Sequence, residues 1–342
     1  MIRVYLSGEH AHRTPLSYPA LAPLFKADIS FVADPAQADI CVFAHILDIQ
    51  NTTQVVVEDW RHRQRPIVLL SEEPFWDTIW GDDPLAPLIY VDTAFGTVPV
   101  HQINHATSDV FRFDKIPYYL LTNPRFFNAY TEKFARNAAR NQSQWRALID
   151  AYAWDVTFMF ERRPEPYHSV SWSEGNLIGL CAWRTNFAEA YQTGRVARLG
   201  KSWQGGVSRF ELKGDWHQDK LHRLDGQSRI VGAVENTHHP DYITEKFFDA
   251  LACGGVPLYY ASPNHRIHDF GLPTDSWINL YNLTPAQAVD YTNTMKIDDK
   301  IPAIQMANAA LLELFSQPDL VVKERARLRG KLVSHLAQLS NI

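Results

Sequence analysis

Cysteine is scarce in this chain of 342 residues: there are three, Cys41, Cys181 and Cys253, each set in an apolar run. An odd, sparse set of this kind is neither a disulfide scaffold nor a zinc site, and it reads as reduced thiols. No basic stretch followed by an apolar one opens the sequence, and no apolar run approaches the roughly twenty residues needed to cross a bilayer. The expectation is a cytoplasmic protein, peripheral at most to the inner face of a membrane. Positive charge is not in excess either. Lysine and arginine number 33 against 38 acidic residues, a formal charge of −5, so nucleic acid is not an expected partner. The usual nucleotide and hydrolase signatures are missing as well: there is no P-loop, no G-x-G-x-x-G after a strand, no H-E-x-x-H and no G-x-S-x-G. The 14 histidines do not fall into ligand spacing; His238 and His239 are adjacent, and His10 and His12 stand in a loop without a partner cluster. Asp82-Asp83 and Asp298-Asp299 are adjacent pairs rather than a spaced D-x-D. No protein-bound metal and no cofactor is expected.

What is present is an ordinary globular composition, 46% hydrophobic and 21% charged. The length favours two domains over one core. Short apolar strands alternate with helical stretches along most of the chain. Pro66–Leu70 is a continuous apolar run of the kind buried on both faces of a parallel sheet. A stretch rich in charge and proline, Phe158–His168, is the best linker candidate. After it a second alternation begins, containing Ser228–Val234 as a strand, Ile243–Ala252 as a helix stopped by Gly254-Gly255, and Val256–Tyr260 as the next strand. Ile301–Phe315 and Lys323–Leu339 are closing helices. The second of these is basic at its start, with a narrow leucine stripe that suits packing better than a membrane surface. The fold class expected is α/β, with two doubly wound, Rossmann-like domains facing a cleft and helices closing the C-terminal end.

Two polar stretches stand out at strand ends, where open α/β sheets place ligands. The first is Ser71-Glu72-Glu73-Pro74, directly after the Pro66–Leu70 run. Its carboxylates read either as chemistry or as acids favoured at a helix N-terminus. The second is Glu235–Lys246, which gathers Glu235, Asn236, Tyr242, Glu245 and Lys246 at the start of a helix. The free N–H groups of a first helical turn favour an anion, and Lys246 adds a point charge suited to phosphate. Glu245 can accept two hydroxyls, as from a ribose, and Tyr242 can cover a base or sugar face. Capping by Thr244 or Asp241 accounts for part of the stretch but not for Asn236, Tyr242 and Lys246 together. An anionic, hydroxyl-rich ligand such as a nucleotide sugar fits it.

This second stretch resembles the hallmark of the α1,3/4-fucosyltransferases, glycosyltransferase family ten. The pattern there is [FV]-E-N-[ST]-x-x-x-D-Y-[IV]-T-E-K, followed by an aliphatic helix and V-P-[VI]-x-x-G. Glu235-Asn236-Thr237, Asp241-Tyr242-Ile243-Thr244-Glu245-Lys246 and Val256-Pro257 match it position by position, while Ala261 departs from the final glycine. Weaker likeness extends to the start of the Arg184 helix, to Ser276-Trp277-Ile278-Asn279 and to Ser108-Asp109-Val110-Phe111 with Pro117-Tyr118. The resemblance implies a GT-B arrangement and inverting, metal-independent transfer of L-fucose from GDP-fucose to a Gal/GlcNAc-type glycan in α1,3 or α1,4 linkage. It implies a donor site of Arg184 and Lys246 on the diphosphate, Glu245 on hydroxyls, and Asn236 and Tyr242 beside them. Its general base falls on Glu72, with Glu73 as the fallback. Residues 1–160 are then the acceptor-binding domain with the base, 170–320 the domain for the GDP-sugar, and 321–342 a closing helix. The expected partners are a GDP-sugar and an oligosaccharide or glycolipid acceptor. Acceptor contacts are expected on loops around residues 9–16, 45–50, 74–84 and 101–107. Two other readings remain: a transferase for a different GDP-sugar, and a non-catalytic, hinge-type carbohydrate-binding protein.

Overall fold

The computed structural model describes residues 1–208 and 211–341. The chain falls into two compact units. The first comprises Met1–Pro124, Ser171–Leu177 and Asp319–Ile342; the second comprises Arg125–Val170 and Ile178–Pro318.

In the first unit the strands β1 (Ile2–Ser7), β2 (Ile29–Phe31), β3 (Ile40–Phe43), β4 (Ile67–Leu70), β5 (Leu88–Thr93) and β6 (Gly96–Ile103) form one sheet in the order β2-β1-β3-β4-β6-β5. All neighbours run parallel except β5, which returns antiparallel along β6. Central β3 and β4 are buried at every position, as continuous apolar runs require when both faces are covered. Edge strand β5 instead alternates exposed and buried residues. The turn before β6 needs Gly96, whose φ of 116° is costly for any residue with a Cβ.

In the second unit, β7 (Trp154–Met159), β8 (Val196–Leu199), β9 (Ser228–Gly232), β10 (Val256–Tyr259) and β11 (Ile278–Asn279) make an all-parallel sheet in the order β8-β7-β9-β10-β11. A short antiparallel pairing joins Thr237-His238 to Ile178-Gly179. Two helices carry complete capping boxes, Gln142–Ala151 from Asn141 and Pro285–Asn293 from Thr284. The expected stop at Gly254 is present: its φ is 81°, and a Cβ there would lie 2.8 Å from the Tyr152 hydroxyl oxygen.

Both halves are therefore parallel α/β units, as the alternation implied. The chain passes between the units after Pro124, Val170, Leu177 and Pro318. Phe158 lies inside β7, which pairs with both β8 and β9, so the Phe158–His168 stretch starts in the middle of a sheet. The chain changes unit at Pro124, before the helix Arg125–Ala138, which packs against helices Ile301–Phe315 and Glu245–Ala252. Tyr130, Phe134, Phe248 and Phe315 form the aromatic core of that packing.

The last helix, Pro318–Ser340, belongs from Asp319 onward to the first unit. Its stripe of Leu328, Leu332 and Leu336 is fully buried, so this face packs against protein. Glu324 fixes it further by accepting the backbone N–H groups of Asp114, Lys115 and Ile116, and Arg329 pairs with Asp28. Among the described residues no helix is long and apolar enough to cross a membrane.

Candidate functional site

In the second unit the Glu235–Lys246 stretch leaves the carboxyl end of β9 and leads into the helix Glu245–Ala252. Thr244 is the N-cap residue, but its side chain makes no capping bond to the first turn. It is turned instead to Glu235, whose carboxylate accepts the Thr244 N–H at 2.8 Å and the Thr244 hydroxyl at 2.8 Å. Lys246 completes the clasp with Nζ 2.7 Å from Glu235 Oε2 and 2.9 Å from Thr244 Oγ1. Burial pushes the Glu235 carboxyl up, against the pull of Lys246. The two ends of the stretch are thus pinned by one buried carboxylate, and the first-turn N–H groups are left without a side-chain cap.

Arg184 lies beneath this clasp. Its guanidinium donates to the Val234 carbonyl at 3.1 Å and stacks over the Phe160 ring at 4.6 Å, while its buried Nε has no partner. The Asn236 carbonyl accepts the Leu180 N–H at 2.9 Å, tying the stretch to the start of the Arg184 helix. The fold therefore brings Arg184, Asn236, Tyr242, Glu245 and Lys246 to one strand end.

They are not equally accessible. Asn236 and Lys246 are half-buried, the Lys246 side chain being 20% exposed. Arg184, Tyr242 and Glu245 are buried. Tyr242, expected to cover a base or sugar face, is only 3% exposed. Nor does Glu245 stand ready for ribose hydroxyls: Lys220 Nζ approaches its carboxylate at 3.1 Å. Burial would raise its pKa, yet Lys246, Lys220 and His217 together hold the carboxyl well below the usual range.

Glu245 belongs to a buried charge cluster that the sequence did not reveal. Asp249, one helical turn on, forms an ion pair with Lys220 at 2.7 Å, accepts the Tyr130 hydroxyl at 2.8 Å, and lies 2.8 Å from His217 Nε2. The i, i+4 spacing of Glu245 and Asp249 was the available signal. Lys220 and His217 come from a different helix, Trp216–Leu224, whose place cannot be inferred from spacing. The cluster braces the helix that presents Lys246.

In the first unit Glu72 and Glu73 follow β4 directly, and Pro74 opens the helix Pro74–Trp80. Glu72 is only 3% exposed and is held by three donors. Arg13 Nε lies 2.8 Å and the Tyr18 hydroxyl 2.5 Å from Oε1, and the Tyr118 hydroxyl is 2.6 Å from Oε2. Burial and the neighbouring carboxylate push both tyrosines well above their ordinary pKa, so they act as donors. Glu73 makes a longer contact with Arg13, at 3.7 Å. Geometry thus sets Glu72 in a hydrogen-bonded cage and leaves Glu73 at its edge. Of the cage, Tyr118 lay in a stretch that resembles the family and Arg13 in the expected acceptor loop 9–16, while Tyr18 had no motif to mark it.

Among the described residues no three His, Cys, Asp or Glu side chains converge as a metal site would. All three cysteines are unpaired and buried.

Comparison with known proteins adds the following. Residues 190–301 match the family model described as Glycosyltransferase family 10 (fucosyltransferase) C-term. An alpha-(1,4)-fucosyltransferase of Arabidopsis thaliana is 30% identical over 108 residues, 32% of this chain and 22% of that protein. A GDP-fucose protein O-fucosyltransferase 3 of Homo sapiens is 34% identical over 84 residues, 24% of this chain and 17% of that protein. The chain spans less than a quarter of the length of the curated relatives it matches. The crystal structure of an alpha1,3-fucosyltransferase with GDP aligns at 13% identity and a TM-score of 0.40, covering 92% of this chain and 81% of that one.

Proposed function

We propose that this chain, which carries the C-terminal domain of glycosyltransferase family 10 over residues 190–301, transfers L-fucose from GDP-fucose to a hydroxyl of an acceptor. The observation that carries the reading is the clasp of Glu235, Thr244 and Lys246 at an uncapped helix start, inside the matched residues. A diphosphate brings negative charge to first-turn N–H groups and to a lysine that is otherwise shared with Glu235. Lys246 and Asn236 make the direct donor contacts in this account. Arg184, Glu245 and Tyr242 hold the stretch from below.

The donor is assigned to the second unit, and the acceptor with its base to the first. Transfer is inverting. The acceptor oxygen forms a bond to the anomeric carbon as the bond to GDP breaks, and GDP leaves with the electron pair. Charge developing on the leaving diphosphate is stabilised by Lys246 and the helix N-terminus. The acceptor proton passes to Glu72, the general base, which Arg13, Tyr18 and Tyr118 orient. The reading requires no metal for any of these steps.

The acceptor is proposed to be a Gal/GlcNAc-type glycan joined in α1,3 or α1,4 linkage. The relatives' names divide on this point, one specifying a glycosidic linkage and another a protein hydroxyl. The deciding experiment incubates the protein with GDP-fucose, and in parallel with GDP-mannose, against a panel of Gal/GlcNAc saccharides and a serine/threonine peptide, and follows GDP release. Release that depends on GDP-fucose and a saccharide is expected. Release only from GDP-mannose would name a different sugar, and saturable saccharide binding with no release from either donor would make the chain a binding protein.

A further inference from the structure

In the second unit three buried carboxylates, Glu235, Glu245 and Asp249, are divided unevenly between two lysines. Lys220 Nζ lies 2.7 Å from Asp249 Oδ2 and 3.1 Å from Glu245 Oε1. Lys246 Nζ lies 2.7 Å from Glu235 Oε2 and 3.9 Å from that same Glu245 oxygen. One oxygen of Glu245 is thus flanked by two ammonium groups, and the nearer belongs to Lys220. Lys246 is the outer of the two: its side chain is 20% exposed, against 11% for Lys220 and 5% or less for the three carboxylates.

Lys220 is fixed from the far side. It stands three residues after His217 in the helix Trp216–Leu224, so the two side chains share a face, and both meet Asp249. His217 Nε2 lies 2.8 Å from Asp249 Oδ1, and the Tyr130 hydroxyl donates to that oxygen at 2.8 Å, which leaves Oδ2 to Lys220. Asp249 follows Glu245 by four residues, so both carboxylates project from one face of their helix and Lys220 spans them. The carboxyls reflect the division. Burial would raise Glu245 and Asp249, yet the neighbouring cations hold both below their ordinary range. Burial prevails at Glu235, which has Lys246 alone, and its carboxyl is pushed up.

A lysine that is to hold a diphosphate needs charge that is not already committed. Without Lys220, the nearest ammonium to Glu245 would be that of Lys246, 3.9 Å away, and Lys246 would be drawn inward by two buried carboxylates instead of one. The unmatched charge on Glu245 would also repel an arriving phosphate, over a distance that a protein interior screens poorly.

We propose that Lys220 is a positioning residue for donor binding, which takes up the charge of Glu245 and Asp249 and so leaves Lys246 available to the diphosphate of a nucleotide sugar. Lys220 itself does not touch the ligand. The inference rests on the donor reading of this unit, in which Lys246 contacts the diphosphate. It differs from a purely structural brace in a definite way: the effect of Lys220 on the ligand depends on the charge of Glu245.

The test is a double-mutant cycle read by calorimetric titration with GDP, using wild type, Lys220→Met, Glu245→Gln and the double variant, with Lys220→Arg as the conservative change. Denaturant unfolding establishes that each is folded. Lys220→Met should weaken GDP binding about tenfold in the wild-type background and less than about twofold in the Glu245→Gln background, where no carboxylate is left to compete for Lys246. Lys220→Arg, which keeps the charge, should stay within about threefold of wild type. If Lys220→Met does not fold alone, the double variant against Glu245→Gln, together with Lys220→Arg, carries the test: a tenfold loss in either overturns the inference. Equal losses in the two backgrounds, or wild-type affinity in folded Lys220→Met, would also overturn it and leave the donor reading intact. Absence of GDP binding by wild type would overturn the donor reading, and this inference with it.

Discussion

In the second unit the two residues proposed to touch the donor, Asn236 and Lys246, come from one stretch, and a single buried carboxylate, Glu235, ties its two ends together. In the first unit Glu72 is caged by Arg13, Tyr18 and Tyr118, which arrive from an N-terminal loop and from the helix Tyr118–Leu121. One site is local in sequence and the other is assembled by the sheet. The difference is also electrostatic. Around Glu245 and Asp249 the second unit buries a histidine and a lysine with two carboxylates, so charge holds the helix in place. Around Glu72 the first unit uses two neutral hydroxyls and one arginine, leaving a carboxylate surrounded by donors. A charged brace suits a site that holds a diphosphate in place. A donor cage fixes the orientation of a single carboxylate.

The contrast can be broken most strongly at Glu72. Glu72→Gln should lower transfer by about 10²–10⁴-fold, the usual scale for losing a general acid or base. Initial rates of GDP release at saturating GDP-fucose check this, and near-normal turnover would remove Glu72 from the mechanism. The next effect concerns stability and should be confined to the second unit. Lys220→Ala leaves the Asp249 and Glu245 carboxylates without their lysine in a buried setting, which costs about 3–5 kcal/mol. Denaturant unfolding measures it, and a loss below about 1 kcal/mol would mean the cluster is no brace.

Acid should separate the units with a smaller effect. Burial lowers the pKa of His238 to about 4, and burial with neighbouring histidines lowers that of its stacking partner His265. A histidine whose folded pKa is depressed contributes stability that is complete above its unfolded value near 6.5 and lost as pH falls towards 4. Glu245 and Asp249, held below the usual carboxylate range mainly by Lys220, Lys246 and His217 against burial, lose theirs at still lower pH. The first unit contributes His45, His101 and His335 to the same window, but its Asp77, whose carboxyl burial raises to about 7, stabilises as pH falls through that value and offsets them. Hydrogen exchange at pH 7 and pH 5 should therefore show the second unit loosening more, by about 1–3 kcal/mol. Equal loosening of the two units would contradict the assignment of the histidines.

How much of this was legible follows from the same contrast. The Glu235–Lys246 stretch could be read because its residues are neighbours, and a strand, a helix start and a glycine stop flank it in order. The Glu72–Glu73 pair could be noticed from its place after a buried apolar run. Its cage could not, since nothing in the sequence ties Tyr18 to residue 72 until β1 and β4 are set in one sheet. Tyr242 and Glu245 were read as ligand-facing because polar and aromatic groups in a loop suggest a surface; the packing turned both inward. Pro164 and Pro166 read as a linker, and the chain does pass between units just beyond them, after Val170; it also passes after Pro124, where a proline precedes a helix and nothing marks a linker.

The central claim is that the second unit holds GDP through Lys246 while the first supplies only the base. Calorimetric titration of GDP into wild type, Lys246→Ala and Glu72→Gln tests it most directly. Loss of a charge-assisted contact predicts about 10–100-fold weaker binding in Lys246→Ala, with Glu72→Gln equal to wild type. Unchanged affinity in Lys246→Ala, or an equal loss in Glu72→Gln, would contradict it.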